Sequence, residues 1–150
     1  MEENSLKEYK SKRDFGLSPE PSGEAEGSEE NRFVVQEHNA SHLHYDFRLE
    51  MDGVLRSWAV PKGPPEKPGV RHLAVQVENH PVDYIDFEGT IPEGQYGAGT
   101  VKIWDNGTYS LESSKPDKLV FSLNGKKLSG NYVLVHMQNK PKDWLLMKMK

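Results

Sequence analysis

The sequence predicts an all-β protein: a small closed β-barrel preceded by a short N-terminal helix or extended arm. Three observations lead to this prediction. From Arg32 onward, apolar and polar residues alternate in short runs, turn-forming dipeptides separate these runs, and no run shows the period of a long helix. Closure into a barrel is favoured because it leaves no exposed sheet edge.

Length and composition narrow the class of protein. A chain of 150 residues is long enough for one hydrophobic core. No stretch of about 18 apolar residues is present, and no charged-then-apolar leader begins the chain, so we expect neither a membrane span nor secretion. The absence of cysteine excludes disulfides, thiolate metal sites and cysteine nucleophiles, and it fits a cytoplasmic protein.

The acidic charge is confined to the N-terminal region. Residues 1–31 contain nine acidic and four basic residues, whereas the rest of the chain contains 14 acidic and 15 basic ones. A short helix is expected within 5–15, and the prolines, glycines and glutamates that follow predict a flexible linker over 16–31. We therefore expect an N-terminal arm and flexible acidic linker over 1–31, and a barrel domain over 32–150.

The barrel strands follow from the alternating runs and the turn signals between them. The Asp52-Gly53 and Asn106-Gly107 dipeptides each lie between two runs and suit type I′ hairpin turns. Asn124-Gly125 is a third turn signal. The predicted strands are 32–38, 43–51, 54–60, 71–78, 82–87, 100–105, 108–112, 118–123, 128–136 and 143–148.

The run 43–51 has an unusual polar face. Its apolar residues are at odd positions, and its even positions are His44, Asp46, Arg48 and Glu50. A strand with a merely solvated face usually carries lysine, glutamate, threonine or serine there. Imidazole, carboxylate and guanidinium groups at alternate positions instead indicate a functional site.

Pairing across the Asp52-Gly53 turn sharpens this interpretation. A two-residue turn sets small residues opposite the polar ones, which leaves room above them for a pocket floor. The predicted pairs are Met51–Val54, Phe47–Trp58, Arg48–Ser57 and Asp46–Ala59.

Histidines are concentrated in the same part of the chain and predict a single site. Five of the six lie within 43 residues: His38, His42, His44, His72 and His80. His44 and Asp46 can chelate a cation from one strand face, with a third ligand from His38 or His80. Such a donor set suits a first-row divalent cation such as manganese, iron or zinc.

Arg48 extends the site towards phosphate chemistry. Its guanidinium offers a planar fork to a phosphate or carboxylate oxygen two positions beyond Asp46. A cation, this arginine and a histidine that protonates the leaving oxygen together suit phosphoryl transfer. Lys62 could also bind a phosphate, although a lysine that is simply solvated on a loop is the alternative. The glycine-rich loop 91–100 lacks the Gly-Lys-Ser/Thr ending of a P-loop, so it predicts only a tight loop.

Several long motifs, in order, resemble the 3′-phosphoesterase domain of bacterial DNA ligase D. The resemblance covers nearly the whole chain, from Leu6 to Lys148, and no ligase or polymerase segment accompanies it, so we expect a stand-alone form. The motifs are Phe33-Val34-Val35-Gln36-Glu37-His38-Asn39-Ala40, Leu43-His44-Tyr45-Asp46-Phe47-Arg48-Leu49, Ser57-Trp58-Ala59-Val60-Pro61-Lys62-Gly63-Pro64, Leu73-Ala74-Val75-Gln76-Val77-Glu78-Asn79-His80-Pro81 and Phe87-Glu88-Gly89-Thr90-Ile91-Pro92-Glu93-Gly94-Gln95-Tyr96-Gly97-Ala98-Gly99.

The resemblance implies a manganese-dependent enzyme that heals DNA or RNA 3′ ends on a primer–template; other divalent transition metals also suit its ligands. Such an enzyme removes a terminal ribonucleotide and then the remaining 3′-phosphate, which leaves a 3′-hydroxyl for a separate ligase or polymerase. By motif, the metal ligands are His38, His44 and Asp46. The other implied site residues are Arg48 and His80 at the scissile phosphate, Tyr84 and Glu78 close by, Arg13, Asp14 and Glu20 in ribonucleotide removal, and Lys62 in phosphate removal.

One departure and two rival functions remain open from the sequence. His72 stands where the family commonly has an arginine, and Arg71, one position earlier, points to the opposite face of a strand, so the phosphatase step is the less secure of the two. His44-x-Asp46 with a distal histidine also mimics the facial triad of an iron(II)-dependent oxygenase. A non-catalytic barrel that binds nucleic-acid ends is the second rival.

Overall fold

A computed structural model describes residues 6–23 and 31–150 of the chain. One short helix, α1 (Lys7–Ser11), precedes the strands, and a 3₁₀ helix (Val82–Asp86) lies between the fourth and fifth of them. The strands are β1 (Arg32–Asn39), β2 (Leu43–Met51), β3 (Val54–Val60), β4 (Arg71–His80), β5 (Gly89–Ile91), β6 (Gly99–Lys115), β7 (Lys118–Gly125), β8 (Ser129–His136) and β9 (Asp143–Lys148).

The predicted closed barrel is confirmed. Eight antiparallel strands follow the order β1-β2-β3-β4-β9-β8-β7-β6, and pairing of β1 with β6 closes the ring; β5 adds to the edge of β6. Within the described residues, no helix is long and apolar enough to cross a membrane.

The first hairpin has the predicted turn and register. Asp52 and Gly53 both have positive φ, 57° and 83°, as a type I′ turn requires. All four predicted pairs across this turn are present, including Asp46 opposite Ala59 and Arg48 opposite Ser57. Local turn chemistry therefore positions the polar face of β2.

Two predicted strands are wrong. In place of the predicted strand 82–87, residues 82–86 form the 3₁₀ helix, in which the Tyr84 amide donates to the Pro81 carbonyl at 2.9 Å and the Phe87 amide to the Tyr84 carbonyl at 3.0 Å. The runs 100–105 and 108–112 belong to the single strand β6, and the short strand β5 was not predicted.

Gly107 explains the error in β6. It pairs with Phe33 of β1 on one side and with Gly125 of β7 on the other, so no turn occurs there. A Cβ atom at this position would lie 2.1 Å from the Asn124 carbonyl oxygen. The glycine is required by the close approach of a neighbouring strand, a contact that the local sequence does not reveal.

Large apolar side chains fill the inside of the barrel. They alternate with outward-facing residues along each strand, as the sequence pattern predicts. The fully buried members include Phe33, Val35, Phe47, Leu49, Trp58, Leu119, Phe121, Leu128, Tyr132, Leu134 and Leu146.

A second apolar cluster lies against the outer wall of the barrel. Tyr9 of α1, Val34 of β1 and Leu55 of β3 meet there with residues of the 3₁₀ helix. We call residues 6–23 the docked segment, because they cover this wall. The cluster explains why the outward-facing side of β2 is buried rather than solvated.

The expectation of a flexible linker is wrong for residues 16–23. Ser18 and Glu20 are buried, and the Tyr9 hydroxyl donates to the Pro21 carbonyl. Their composition is typical of a linker, but buried polar partners outside the segment hold them in place. The rest of the predicted linker, 24–30, lies outside the described residues, and a domain boundary at residue 31 stays a prediction.

Trp58 tests the interior packing. It is fully buried, with its ring centroid 5.7 Å from that of Trp144, so Trp58→Ala is expected to lower the free energy of unfolding by about 3–5 kcal/mol. The indole Nε1 has no hydrogen-bond partner in the described part of the chain, so Trp58→Phe removes an unpaired donor and keeps most of the apolar volume. In urea unfolding, the free energy of unfolding of wild type and of Trp58→Phe should therefore be well above that of Trp58→Ala. Equal losses in the two variants would contradict this packing.

Candidate active site

The site predicted from β2 is a pocket on the outer wall of the barrel. The pocket, here called the central pocket, has a volume of about 330 Å³ and lies between strands β1–β4 and the docked segment. Ala59 of β3 forms part of its floor, as the predicted pairing with Asp46 requires. Of the residues proposed from the sequence, it brings together Arg13, Glu20, His38, His44, Asp46, Arg48, Glu78, His80 and Tyr84.

Three side chains at one end of the central pocket form a cluster of potential metal ligands. One ligand atom from each of His38, His44 and Asp46 lies within 4.8 Å of the others. The Nδ1 atom of His38 is 3.3 Å from Asp46 Oδ2, and Nε2 of His44 is 3.2 Å from Asp46 Oδ1. Pairing of His38 with His44 across β1 and β2 produces this convergence.

The outer nitrogen of each imidazole is hydrogen-bonded to a backbone carbonyl. His38 Nε2 is 2.7 Å from the Gly97 oxygen, and His44 Nδ1 is 3.2 Å from the His42 oxygen. With a cation bound, the outer nitrogens would remain donors to these carbonyls, and the inner nitrogens, which here hydrogen-bond to Asp46, would offer it their lone pairs. Two imidazole lone pairs and one carboxylate fit a first-row divalent cation.

The carboxylate in this cluster is ionised. Burial alone would raise the pKa of Asp46, but the Arg48 guanidinium and the hydrogen bonds from both histidines hold it far below its usual range. The hydrogen bond to Asp46 raises the pKa of His44. The cluster therefore keeps a buried negative charge, which an added cation would neutralise.

Arg48 is fixed beside the cluster by two of its guanidinium nitrogens. Its Nε donates to Gln36 Oε1 at 2.7 Å, and its Nη2 lies 3.4 Å from Asp46 Oδ2. Among the described residues, nothing accepts from the buried Nη1. An arginine lining a pocket with a desolvated free N–H is suited to bind an anion such as phosphate.

His80 of β4 is a buried neutral imidazole that also lines the central pocket. Burial and the nearby Arg48 and Arg13 lower its pKa well below the usual value. Nδ1 is 3.0 Å from the Glu78 carbonyl, which fits an N–H donor, and Arg13 Nη2 is 3.4 Å from Nε2. Nε2 is therefore the acceptor atom of this ring.

The docked segment contributes Arg13 and Glu20 through a buried ion-pair network. Arg13 Nε is 3.0 Å from Glu20 Oε2, and Arg13 Nη1 is 3.1 Å from Glu78 Oε2. Tyr84 donates its hydroxyl to Glu20 Oε2 at 2.7 Å, and burial raises its pKa well above the usual value, so it stays protonated. The segment thus forms one wall of the pocket.

A bulge in β4 directs residues from both faces of the strand into the pocket. Ser57 of β3 pairs with Val77 of β4, and Leu55 of β3 pairs with His80 of β4. Between these two pairs, β3 advances by two residues and β4 by three. The extra residue changes the alternation, so Val77, Glu78 and His80 all line the pocket.

Five of the residues that the sequence singles out lie elsewhere. Asp14 is exposed and caps a turn by accepting from the Gly16 amide at 3.0 Å. Lys62 is exposed on the loop after β3, outside the pocket lining. His72 contacts the Gly63 carbonyl at 2.6 Å, and His42 is exposed, so the prediction of one site for five histidines is wrong for these two. Arg71 is also exposed.

Sequence reasoning missed several residues that shape the site. Gln36, fully buried, donates to the carbonyls of Tyr84 and Phe87 while it accepts from Arg48. Its position on the same strand face as Val34 and His38 was the signal in the sequence that could have identified Gln36. Lys12 pairs with Glu78 at 3.1 Å, and Tyr96 lines the pocket from the glycine-rich loop; no local pattern marks either residue.

Comparison with known protein families identifies one match. The model described as "DNA Ligase D 3'-phosphoesterase domain" matches residues 36–136. The match includes the three clustered ligands, Arg48, Glu78, His80 and Tyr84.

Individual relatives are similar over nearly the whole chain. "Multifunctional non-homologous end joining protein LigD" of Pseudomonas aeruginosa is 51% identical, over 97% of this chain and 18% of the relative. The LigD proteins of Mycobacterium tuberculosis H37Rv and Mycolicibacterium smegmatis are 46% and 44% identical, each over 97% of this chain and 20% of the relative. The chain thus spans about a fifth of the length of these curated relatives.

Proposed function

Because the chain belongs to the DNA ligase D 3′-phosphoesterase domain family, we propose that it is a metal-dependent hydrolase that heals 3′ ends of DNA or RNA. In the first step it removes a terminal ribonucleotide as a nucleoside, and in the second it removes the remaining 3′-phosphate. The product is a 3′-hydroxyl, the group that a separate ligase or polymerase consumes. The names of the relatives place them in non-homologous end joining, which supports a role in break repair.

The observation that carries the proposal is Arg48 Nη1, which has no acceptor in the described part of the chain and lies beside the His38–His44–Asp46 cluster. A cation there and the guanidinium would contact the same phosphate from two sides. Both would neutralise the charge that builds up on the phosphate oxygens during hydrolysis.

The cation, His80 and Glu78 have roles that follow from their chemistry and contacts. A bound divalent cation, for which we propose manganese, would polarise the phosphate and lower the pKa of a water. His80 presents a neutral Nε2, which would accept a proton from the attacking water and return it to the leaving oxygen. Glu78 holds Lys12 and Arg13 in place.

Arg13 and Glu20 are proposed to recognise the ribose. They are the polar side chains that the docked segment contributes to the central pocket. A 2′-hydroxyl can both donate and accept hydrogen bonds, so a carboxylate beside a guanidinium is a suitable partner for it. Asp14 would contribute indirectly, through the turn that follows Arg13.

The decisive experiment supplies the protein with Mn²⁺ and a primer–template that ends in one ribonucleotide. Conversion of the primer to a 3′-phosphate end and then to a 3′-hydroxyl end is expected, and EDTA should stop both steps. Tight binding without conversion would support an end-binding module instead, and turnover that needs iron(II) and oxygen would support an oxygenase. Substituting Zn²⁺, Co²⁺ or Mg²⁺ for Mn²⁺ tests the choice of metal.

Lys62→Ala is expected to slow removal of a 3′-phosphate by about tenfold and to change ribonucleotide removal by less than about twofold. A terminal phosphate carries one more negative charge than an internal diester, so a lysine that reaches the bound end would favour it selectively. Rates on the two substrates, measured separately, check this; Lys67→Ala, on the same loop, is the control. Equal slowing of both steps would contradict the division of labour.

A further inference from the structure

A second concave surface continues from the central pocket. It lies between α1 and β4, has a volume of about 710 Å³, and is lined by Lys7, Lys12 and Lys142 among other residues. We call it the lysine groove. Val77, Glu78 and Tyr96 line both cavities, so the groove leads directly to the site.

The charge of the lysine groove is opposite to that of the whole chain, whose net charge is -4. Three lysines face two carboxylates, Glu8 and Glu78. Lys12 Nζ is 3.1 Å from an oxygen of each, and Arg13 pairs with the second oxygen of Glu78. Both acidic side chains are thus ion-paired, and Lys7 and Lys142 lie exposed along the same groove.

Tyr96 stands at the entrance from the groove to the pocket. Lys12 Nζ lies 4.7 Å from its ring centroid and 3.4 Å from its hydroxyl, and the Arg13 guanidinium lies 5.2 Å from the centroid. These cations hold the ring in position, yet the residue is 46% exposed. A fixed, exposed aromatic ring is a stacking surface for any base.

We propose that the lysine groove binds the nucleic-acid strand on the 5′ side of the scissile phosphate. In this arrangement Lys7 and Lys142 contact backbone phosphates and Tyr96 stacks on a base. The direction follows from charge: the nucleoside that leaves in the first step carries no further phosphate, whereas the strand on the other side continues through phosphodiesters. The inference rests on the proposed function, because it assumes that the central pocket holds the scissile phosphate.

Binding of single-stranded oligonucleotides, measured by fluorescence anisotropy without metal, tests the proposed role of the lysines. The probes end in a 3′-phosphate and range from a dinucleotide to a dodecanucleotide. The Lys7→Gln/Lys142→Gln double variant is expected to raise the Kd of the dodecanucleotide about three- to tenfold and to leave dinucleotide binding nearly unchanged. The slope of log Kd against log salt should fall by about 0.7 for each lysine–phosphate pair that the substitutions remove.

The matched control is Lys115→Gln/Lys118→Gln, which removes the same charge at the β6–β7 turn, outside the lining of both cavities. This control should change neither the dependence of Kd on oligonucleotide length nor the slope of log Kd against log salt by a comparable amount. Tyr96→Leu should weaken binding at least about fivefold, and Tyr96→Phe, which keeps the ring, should not.

Equal effects of the two lysine double variants would overturn the inference. So would a rate loss in Lys7→Gln/Lys142→Gln that is confined to ribonucleotide removal, because the groove would then hold the leaving nucleoside. Since binding is read without turnover, a chain that shows the length-dependent binding and yet hydrolyses nothing would refute the proposed function and support this groove.

Discussion

His44→Ala is expected to abolish both hydrolytic steps, with a loss of at least about 1000-fold on each substrate. The substitution removes one of the three clustered ligand atoms and leaves Asp46 with one imidazole partner fewer. Two ligands are too few to hold a divalent cation at ordinary concentrations, so the loss should extend to metal binding itself.

Binding of Mn²⁺, followed by calorimetry and by the electron paramagnetic resonance signal of the free ion, provides a readout that does not depend on turnover. Wild type should bind one ion at the cluster, and His44→Ala should bind none there. His42→Ala is a matched control, because His42 is exposed in the loop that precedes β2 and contacts His44 through its backbone carbonyl. Unchanged Mn²⁺ binding in His44→Ala would remove His44 from the ligand set.

Arg13→Ala is expected to reduce ribonucleotide removal at least about 100-fold and phosphate removal clearly less. The arginine side chain is 4% exposed and bridges two carboxylates, Glu20 and Glu78, that are themselves buried. Without it, Glu20 keeps Ser18 and Tyr84 as partners but loses its countercharge. A buried carboxylate without a countercharge favours release of the docked segment.

Hydrogen exchange over residues 6–23 separates this effect from global unfolding. Faster exchange there, with unchanged protection of the barrel strands, is the expected result for Arg13→Ala. Lys10→Ala serves as the control, since Lys10 is exposed on α1 and lines neither cavity. Equal losses on both substrates with no change in exchange would show that Arg13 does not act through the docked segment.

Features set by local chemistry could be predicted from the sequence. The Asp52-Gly53 turn fixes the register of β2 and β3, and a side-chain period of two then places Asp46 and Arg48 on one face. The closed barrel also followed, because it depends on the number and spacing of short strands rather than on any one contact.

Features set by distant contacts could not be predicted. The Asn106-Gly107 dipeptide predicts a turn, because the β7 backbone that requires a glycine at position 107 is remote in sequence. The alternation in 82–87 suggested a strand, although Pro81 and its carbonyl start a 3₁₀ turn. Glu20 lies in a stretch with the composition of a linker, and only Arg13, Tyr84 and Ser18 reveal it as a buried residue.

The bulge in β4 was equally invisible, yet it decides which side chains reach the pocket. The pattern of residues 71–80 reads as simple alternation, which would set Val77 and His80 on opposite faces. Pairing with β3 adds one residue to β4 and brings both into the pocket. His72 precedes the bulge and remains outside.

The closure of the ring between β1 and β6 also constrains when the pocket can form during synthesis. Arg32 pairs with Thr108, and Arg13 contacts Glu78 and His80, which lie more than 60 residues later in the chain. A ribosome-bound chain therefore carries Arg13 and Glu20 outside the exit tunnel long before their partners emerge. Because such long-range pairings form slowly, the central pocket is among the last parts of the barrel to be assembled.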